Sequence, residues 1–337
     1  MKALSLFSGG GGLDMAAEML WPGLEHVAFV ENDVHASSVL ARHWPDVPNL
    51  GDITAIDWSQ VGPVDVIVGG FPCQDISTAG KRAGISEGTR SGLWFYFRDA
   101  IRTLRPRYVL LENVAAIATA GGGLDVVLGS LAEVGFDAEW GMLRASDVGA
   151  PHRRERWFCV AYPDGPGLEG WTSERRAYQR LVGADRMAAS DSAGDGWSEG
   201  RTGAGERPRD TGLAASDRGT TADANQPGCE ALHRRQRARN TGRSQPVVRG
   251  ATDWGDKTPA IRRWESILGR PAPPPLDDRG RLNAPFVEWM MGWPEGHTNA
   301  LSRNKALKVL GNGVVPQQAV AAYTQLLARV PAEEVAA

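Results

Sequence analysis

The sequence predicts an α/β protein built on a doubly wound, mostly parallel sheet. Three observations carry that expectation. Runs of strand length alternate with stretches of helical periodicity through residues 1–162. Two of the runs, VDVIVGG at 64–70 and RYVLLE at 107–112, are almost continuously apolar, the pattern of strands covered on both faces. A glycine run, FSGGGG at 7–12, separates the first strand from the first helix. Glycines there let backbone approach a ligand, and the helix start supplies free N–H donors.

Each element follows in order. Residues 2–7 form the first strand, and Leu13 to Leu20 have the spacing of a helix. Residues 26–31 (HVAFVE) form a second strand ending in an acid, and 34–43 a second helix. After the buried run at 64–70, residues 93–104 suit a helix that leads into RYVLLE. Residues 124–134 suit another, led in by three glycines, and 136–144 pair with 156–162 across a basic loop. Residues 163–250 break the pattern: Gly, Asp, Arg, Ser, Thr and Ala dominate. A loose repeat (DGPGLEGW at 164–171, DSAGDGW at 191–197) is too irregular for a solenoid. Residues 259–275 join a short helical piece, AIRRWESIL, to a proline run, PAPPP, which suits a linker. Residues 283–292 and 316–329 suit helices, and the last eight a loose tail.

Composition bounds the function. With 37 basic and 40 acidic residues among 337, the net charge of −3 excludes a uniformly basic nucleic-acid coat but not a local basic face. Residues 1–162 hold 13 basic and 19 acidic groups, and residues 163–280 hold 19 and 17. Leu, Ile, Val, Phe and Met fill 49 of the first 162 positions but only 12 of the next 118, so the first stretch can bury a core and the second is loop-rich. Cys73, Cys159 and Cys229 lie far apart with no CxxC pair, which argues against a disulfide framework or a metal site. No apolar run reaches membrane-spanning length, and MKALSLFSGGGG lacks the features of a signal peptide, so a cytoplasmic setting is expected. The excess of Arg over Lys, 32 to 5, reads as codon bias.

Four motifs carry chemistry. The glycine run followed by Glu31, about 20 residues on at the end of the second strand, fits a nucleoside-containing cofactor whose ribose hydroxyls the acid receives. Asp52, in GDI, is either an acceptor for an adenine amine or a surface turn residue. This pattern does not distinguish a dinucleotide from S-adenosylmethionine. GGFPCQDIS (69–77) places Cys73 directly after a buried strand, where open α/β sheets bind ligands, and Pro72 stiffens the turn. A thiol there is a nucleophile if its thiolate is favoured and otherwise an inert cysteine. Glu112 closes the neighbouring strand. In an apolar pocket its carboxyl stays partly protonated and donates to a ring nitrogen; the alternative is a capping or ion-paired acid. In APHRRERWF (150–158), Arg154 and Arg156 would point the same way on a strand and favour a thiolate and an anionic substrate together; the alternative is a solvated basic turn.

Taken in order, FSGGGG, ENDVH, GDI, GFPCQDIS, RSGLW, LLENV, PHRRERWF, FVEWMMGWP and GNGVVPQQA resemble the motif series of the cytosine-5 DNA methyltransferases. The resemblance covers residues 1–162 and 281–325. It implies S-adenosylmethionine as methyl donor, no metal, and a cytosine flipped out of double-stranded DNA as substrate. It assigns Cys73 to attack on C6, Glu112 to N3, and Arg154 and Arg156 to the catalytic pocket. Phe7, Ser8, Gly9, Gly10, Gly11, Gly12, Leu13, Glu31, Asn32, Asp52, Ile53, Leu93 and Asn312 would form the cofactor cradle. Pro72, Gln74 and Asn113 would shape the base pocket. Residues 77–93, with Ser77, Lys81, Arg82 and Arg90, match a mobile loop that closes over the DNA.

The resemblance also implies an organisation. Residues 1–162 with 295–329 would be the catalytic, cofactor-binding domain, 163–294 the target-recognition domain with 163–230 its loosest part, and 330–337 a tail. Six Arg between 234 and 249, with no acid, would meet DNA, Arg234, Arg235 and Arg237 first among them. Trp171, Trp197 and Trp254 would pack a small core or fill the space of the flipped base. A monomer is expected, with a restriction endonuclease as functional partner. Two departures stand out: His152 occupies a position the family usually gives to Gln, and the first motif is FSGGGG where the family has FxGxGG. Two other functions fit the same scaffold, a tRNA cytosine-5 methyltransferase and a catalytically silent DNA-binding regulator. Intact Cys73, Glu112 and Arg pair argue against the last, and the Arg-rich segment favours DNA over RNA.

Overall fold

The computed structural model describes residues 1–72, 92–164 and 252–331, together with the backbone of 199–201. Its sheet follows from the apolar runs. Strands β1 (Lys2–Leu6), β2 (Glu25–Val30), β3 (Val66–Gly69) and β4 (Tyr108–Val114) pair in parallel in the order β2-β1-β3-β4. Strands β5 (Phe136–Arg144), β6 (Glu155–Pro163) and β7 (Glu199–Arg201) extend the sheet antiparallel, in the order β4-β6-β5-β7. The doubly wound sheet is therefore parallel on the side that carries the first three motifs and antiparallel beyond it.

Both faces of the parallel strands are covered, which is why their sequences lack polar alternation. Leu4, Leu6, Ile67, Val109 and Leu111 point to one side, where Trp94, Phe97 and Ile101 of α3 (Leu93–Leu104) and Val127 and Leu131 of α4 (Leu124–Glu133) meet them. Ala3, Val66, Val68 and Leu110 point to the other, against α1 (Gly12–Leu20) and α8 (Pro316–Leu327). The period-two alternation of strands thus appears as a choice between two cores. Helix α2 (Val34–His43) starts at Asp33, whose side chain accepts from the His35 and Ala36 amides, a polar N-cap.

The C-terminal helices α5 (Thr258–Leu268), α6 (Ala284–Met290) and α7 (Arg303–Asn312) build a third core of unusual composition. Ile261, Trp264, Phe286, Trp289, Met291 and Trp293 join Met15 of α1, Ala36 of α2 and Leu310 of α7. This corrects the linker reading of residues 259–275. Trp264 is wholly buried, and its indole N–H donates to the Trp289 carbonyl at 2.9 Å. The proline run that follows leads into an exposed hairpin pinned by Asp277, which accepts from Arg279 and Arg281. Helix α7 was not marked by the sequence reading; its mixed composition, RNKALKVLGN, hides a three-residue apolar stripe. Among the described residues no helix is long and apolar enough to cross a membrane.

Candidate active site

In the strand order β2-β1-β3-β4 the chain changes direction across the sheet between β1 and β3, and it is at such a point, at the carboxyl ends of the strands, that open α/β sheets hold their ligand crevice. Two loops meet it: residues 7–12 after β1, and residues 70–72 after β3.

The first loop begins with strain. Phe7 has a φ of 53°, in the left-handed region that non-glycine residues avoid, and its ring stacks on Phe97 with centroids 6.3 Å apart. The loop then tightens through a Gly11 N–H to Ser8 carbonyl bond of 3.0 Å. The Gly9 amide donates to Glu31 Oε2 at 2.8 Å, and the Asp33 amide to Oε1 at 2.7 Å. Burial pushes the Glu31 carboxyl up against these two bonds. Asn49 fixes its backbone from the far side, accepting from the Glu31 amide and donating to its carbonyl, each at 3.0 Å.

The four glycines serve two purposes. Gly9 has a φ of 56°, and a Cβ built there would meet nothing within 4 Å. That is open space at the carboxyl end of β1, beside the partly buried Glu31. A Cβ on Gly10 would lie 2.7 Å from Val309 and 2.8 Å from Trp293, one on Gly11 2.5 Å from Trp44, and one on Gly12 3.0 Å from Val314. Gly9 thus borders the crevice, whereas Gly10, Gly11 and Gly12 admit side chains of the protein. The helix start, the open Gly9 and the Glu31 carboxylate fit a ribose-bearing cofactor. Ser8 is buried and donates to the Ser5 carbonyl. Leu13 and Leu93 lie partly buried on the cores below the crevice. Asn32 is exposed. Asp52 is also exposed; it receives the Thr54 amide and hydroxyl at 2.9 Å each and caps a short turn that buries Ile53.

At the second loop, Glu112 reaches across from β4. A Cβ on Gly70 would stand 3.0 Å from Glu112 Oε2, so glycine at 70 leaves room for the carboxylate. Arg156, on the adjacent strand β6, pairs with Glu112 through Nε to Oε1 at 3.0 Å, with 17% and 13% of the two side chains exposed. Burial drives the Glu112 pKa upward while Arg156 and then Arg154 oppose it. The carboxyl is thereby held closer to a proton than a surface glutamate would be. Asn113 is buried and donates from Nδ2 to the Phe71 carbonyl at 3.1 Å, which ties the end of β4 to the segment entering Pro72. Pro72 is partly buried. Cys73, Gln74, Ser77, Lys81, Arg82 and Arg90 lie outside the described residues, as do Arg234, Arg235 and Arg237.

The two arginines do not act as a parallel pair. Strand β6 begins at Glu155, and Arg154 precedes it with a φ of 30°. Its guanidinium is directed to backbone carbonyls, not to Glu112. Arg154 Nη2 donates to the Gly311 carbonyl at 2.9 Å and also to the Gly313 carbonyl. Burial, and next the charge of Arg156, lower its pKa to about 9. Arg154 therefore holds the backbone on both sides of Asn312, which is itself exposed. Gln318, wholly buried, holds Arg154 in turn by donating to its carbonyl at 2.9 Å. His152 donates from Nε2 to the Met290 carbonyl at 3.0 Å, and burial lowers its pKa to about 4, so it is neutral. A glutamine amide can make the same bond, which gives the His-for-Gln departure a physical meaning.

Several site-supporting residues carry no sign of that role in the sequence, although Glu288 and Trp293 lie within FVEWMMGWP. Trp44, Trp293 and His297 stand behind the glycine loop, and Glu288 holds the turn that carries His297. The sole hint is the glycine run itself: four consecutive glycines exceed what a ligand turn requires and imply bulky neighbours.

The family model of C-5 cytosine-specific DNA methylases matches residues 1–328. Type II methyltransferase M.NgoBI of Neisseria gonorrhoeae is 36% identical over 165 residues, 48% of this chain and 51% of that protein. Orphan methyltransferase M.SPRI of Bacillus phage SPR is 34% identical over 197 residues, 55% of this chain and 45% of that protein. The chain thus spans about half the length of the curated relatives it matches. A solved Spodoptera frugiperda DNMT2 mutant superposes with a TM-score of 0.57 at 17% identity, covering 97% of this chain and 99% of its own, a likeness of fold.

Proposed function

The chain belongs to the family of C-5 cytosine-specific DNA methylases, and on that premise we propose that it methylates C5 of a cytosine in double-stranded DNA. The observation that carries this reading is the Glu112–Arg156 pair at the mouth of the crevice, beside the segment that enters Pro72 and Cys73. A cytosine C5 is a poor nucleophile until C6 is saturated. Cys73, as thiolate, adds to C6, and electrons move through the ring toward N3. Glu112, whose burial favours the protonated form, donates to N3 and offsets that charge. The enamine C5 takes the methyl group, a base removes the C5 proton, and the C6–sulfur bond breaks to release the thiolate. Dividing the reaction in this way replaces one difficult step with two easier ones. Arg156 keeps Glu112 aimed, and Asn113 holds the Phe71 carbonyl so that the Pro72 turn is fixed.

S-adenosylmethionine supplies the electrophilic methyl group when bound. Glu31 and the Gly9 edge of the loop would receive its ribose and amino-acid portions, with Ile53 and Leu93 below. Residues 163–294 would choose the target, with Arg234, Arg235 and Arg237 on phosphates or guanine edges. A cognate restriction endonuclease, a monomeric state and a cytoplasmic setting belong to this same reading.

Bisulfite sequencing of DNA treated with the purified protein and S-adenosylmethionine tests the reaction and reads the target together. Protected cytosines in one sequence context are expected, and none with Cys73→Ser. Methylated tRNA with unmodified DNA would overturn the DNA reading. DNA containing 5-fluorocytosine should trap a covalent adduct, because fluorine cannot leave as a proton; turnover by Cys73→Ser would sink the covalent step.

A further inference from the structure

We propose that His297 is a positioning residue for the glycine loop: its imidazole holds the Gly10 carbonyl and so sets the shape in which the loop meets the cofactor. The inference rests on the reading of residues 7–12 as a cofactor cradle.

The contact spans most of the chain. His297 Nε2 lies 2.8 Å from the Gly10 carbonyl oxygen, 287 residues away. A carbonyl only accepts, so the proton sits on Nε2. The N–H of the same peptide, carried by Gly11, donates to the Ser8 carbonyl at 3.0 Å. The Gly10–Gly11 peptide plane is thus fixed at both ends, one end by a local turn and the other by a side chain from the far end of the sequence. The Ser8–Gly9 peptide, at the entry to the loop, is held by Glu31 through the Gly9 amide. In a four-glycine segment, whose backbone freedom is greatest, such anchors decide the conformation.

His297 is itself over-determined. It is buried, and its ring stacks face to face on His43 with centroids 3.9 Å apart and planes 5° from parallel. His43 Nε2 donates to the His297 carbonyl at 2.9 Å. Trp44 and Trp293 meet the His297 ring at 71° and 80°, and these are the indoles that stand against Gly11 and against Gly10 and Gly12. The turn that carries His297 hangs on Glu288. This buried carboxylate accepts the Gly296 amide at 2.7 Å, the Thr298 amide at 2.7 Å and the Thr298 hydroxyl at 2.8 Å. Residues on both sides of His297 are held, and the imidazole is delivered to the loop as one rigid unit. Burial, with the neighbouring His43, lowers its pKa to about 4, so the ring works as a neutral donor.

The test is direct binding of S-adenosylhomocysteine, a non-reacting analogue of the donor, by titration calorimetry on the full chain. His297→Ala should weaken binding by about five- to tenfold, the loss of one buried hydrogen bond. His297→Gln, whose amide still donates to a carbonyl, should stay within about twofold of the parent. In turnover, the KM for the methyl donor should rise in His297→Ala with kcat little changed. Unchanged affinity in His297→Ala overturns the proposal, and so does a His297→Gln as weak as His297→Ala, since that would make the ring mere packing. If His297→Ala does not fold, ¹⁵N spectra of the parent decide: an Nδ1–H tautomer at His297 overturns the contact, and an Nε2–H tautomer supports it. Failure of the parent itself to bind the analogue would overturn the cofactor cradle instead.

Discussion

The two ends of the crevice are held by different means. At the Glu112 end, neighbouring strands do the work: β4 presents Glu112 and Asn113, β6 presents Arg156, and the residues are linked across one hydrogen-bonded ladder. At the glycine end the loop is wedged from behind by side chains from distant segments, Trp44, Trp293, Val309 and His297. Strand register fixes the first end to within a fraction of an ångström at little extra sequence cost. The second end depends on a third core that forms only when the C-terminal helices dock. The Glu112–Arg156 pair is thus built into the sheet, whereas the glycine loop, the proposed cofactor cradle, is braced by segments from opposite ends of the sequence.

Breaking the first end should have the largest effect on turnover. Glu112→Gln keeps the shape but fixes an amide where a proton donor is needed. Methylation measured by tritium transfer should fall by about 10²–10⁴-fold. The pair itself is mostly buried, so Arg156→Met removes the charge that most opposes the upward shift of Glu112; the carboxyl then takes a proton, and stability in urea denaturation should fall more steeply with rising pH than in the parent. A variant that loses neither activity nor stability would show that the ladder does not organise the site.

The second end is sharpened by comparing two glycines in one loop. Gly11→Ala places a methyl 2.5 Å from Trp44 at a φ of 86°, and should destabilise the fold by about 3 kcal/mol or more. Gly9→Ala meets nothing within 4 Å and carries only the strain of its φ, about 1 kcal/mol. Its methyl enters the crevice, so analogue binding should suffer more than stability. Thermal melts and calorimetry on the two variants separate the roles. Equal destabilisation by both would erase the distinction between the ligand-facing glycine and its packed neighbours.

The same contrast explains what was legible in the sequence. The parallel strands were readable because two-sided burial writes itself as unbroken apolar runs. Glu31 follows the last residue of β2 and Pro72 lies just past β3, as expected, whereas β4 runs two residues beyond Glu112 to Val114, because the ladder with β6 continues through Asn113 and Val114. The shared direction of Arg154 and Arg156 does not hold, because a strand's two-residue period requires both on the strand; Arg154 lies just before β6 with a φ of 30°, and its guanidinium meets the Gly311 and Gly313 carbonyls. The helical piece AIRRWESIL is legible in the sequence; its packing is not, because a proline run follows it and its two buried residues, Ile261 and Trp264, make a narrow stripe that suits a linker as well as a core. Trp293 and His297 lay inside or beside a motif that was noticed, yet their partners are 280 residues away, and no local period encodes such a contact.

A last, smaller effect lies beneath the glycine loop, where Asp14 in the first turn of α1 is fully buried with His26 Nδ1 3.6 Å from its carboxylate. Burial outweighs the pull of His26 and raises the Asp14 pKa from 3.8 to about 6. A raised carboxyl binds its proton more tightly folded than unfolded, so its contribution is complete below the unfolded value and is lost as pH climbs through the folded one. Asp14 should therefore subtract up to roughly 3 kcal/mol of stability between pH 4 and pH 6. His26, raised by Glu18 and Asp14 against its own burial, acts in the same direction at higher pH. Chemical denaturation across that range, with Asp14→Asn beside the parent, isolates the term: the asparagine cannot ionise, and its stability should exceed the parent's increasingly as pH rises from 4 to 6. A constant difference between the two would mean that Asp14 keeps one charge state throughout. The glycine loop would then rest on a fixed ion pair with His26 instead of a titrating acid.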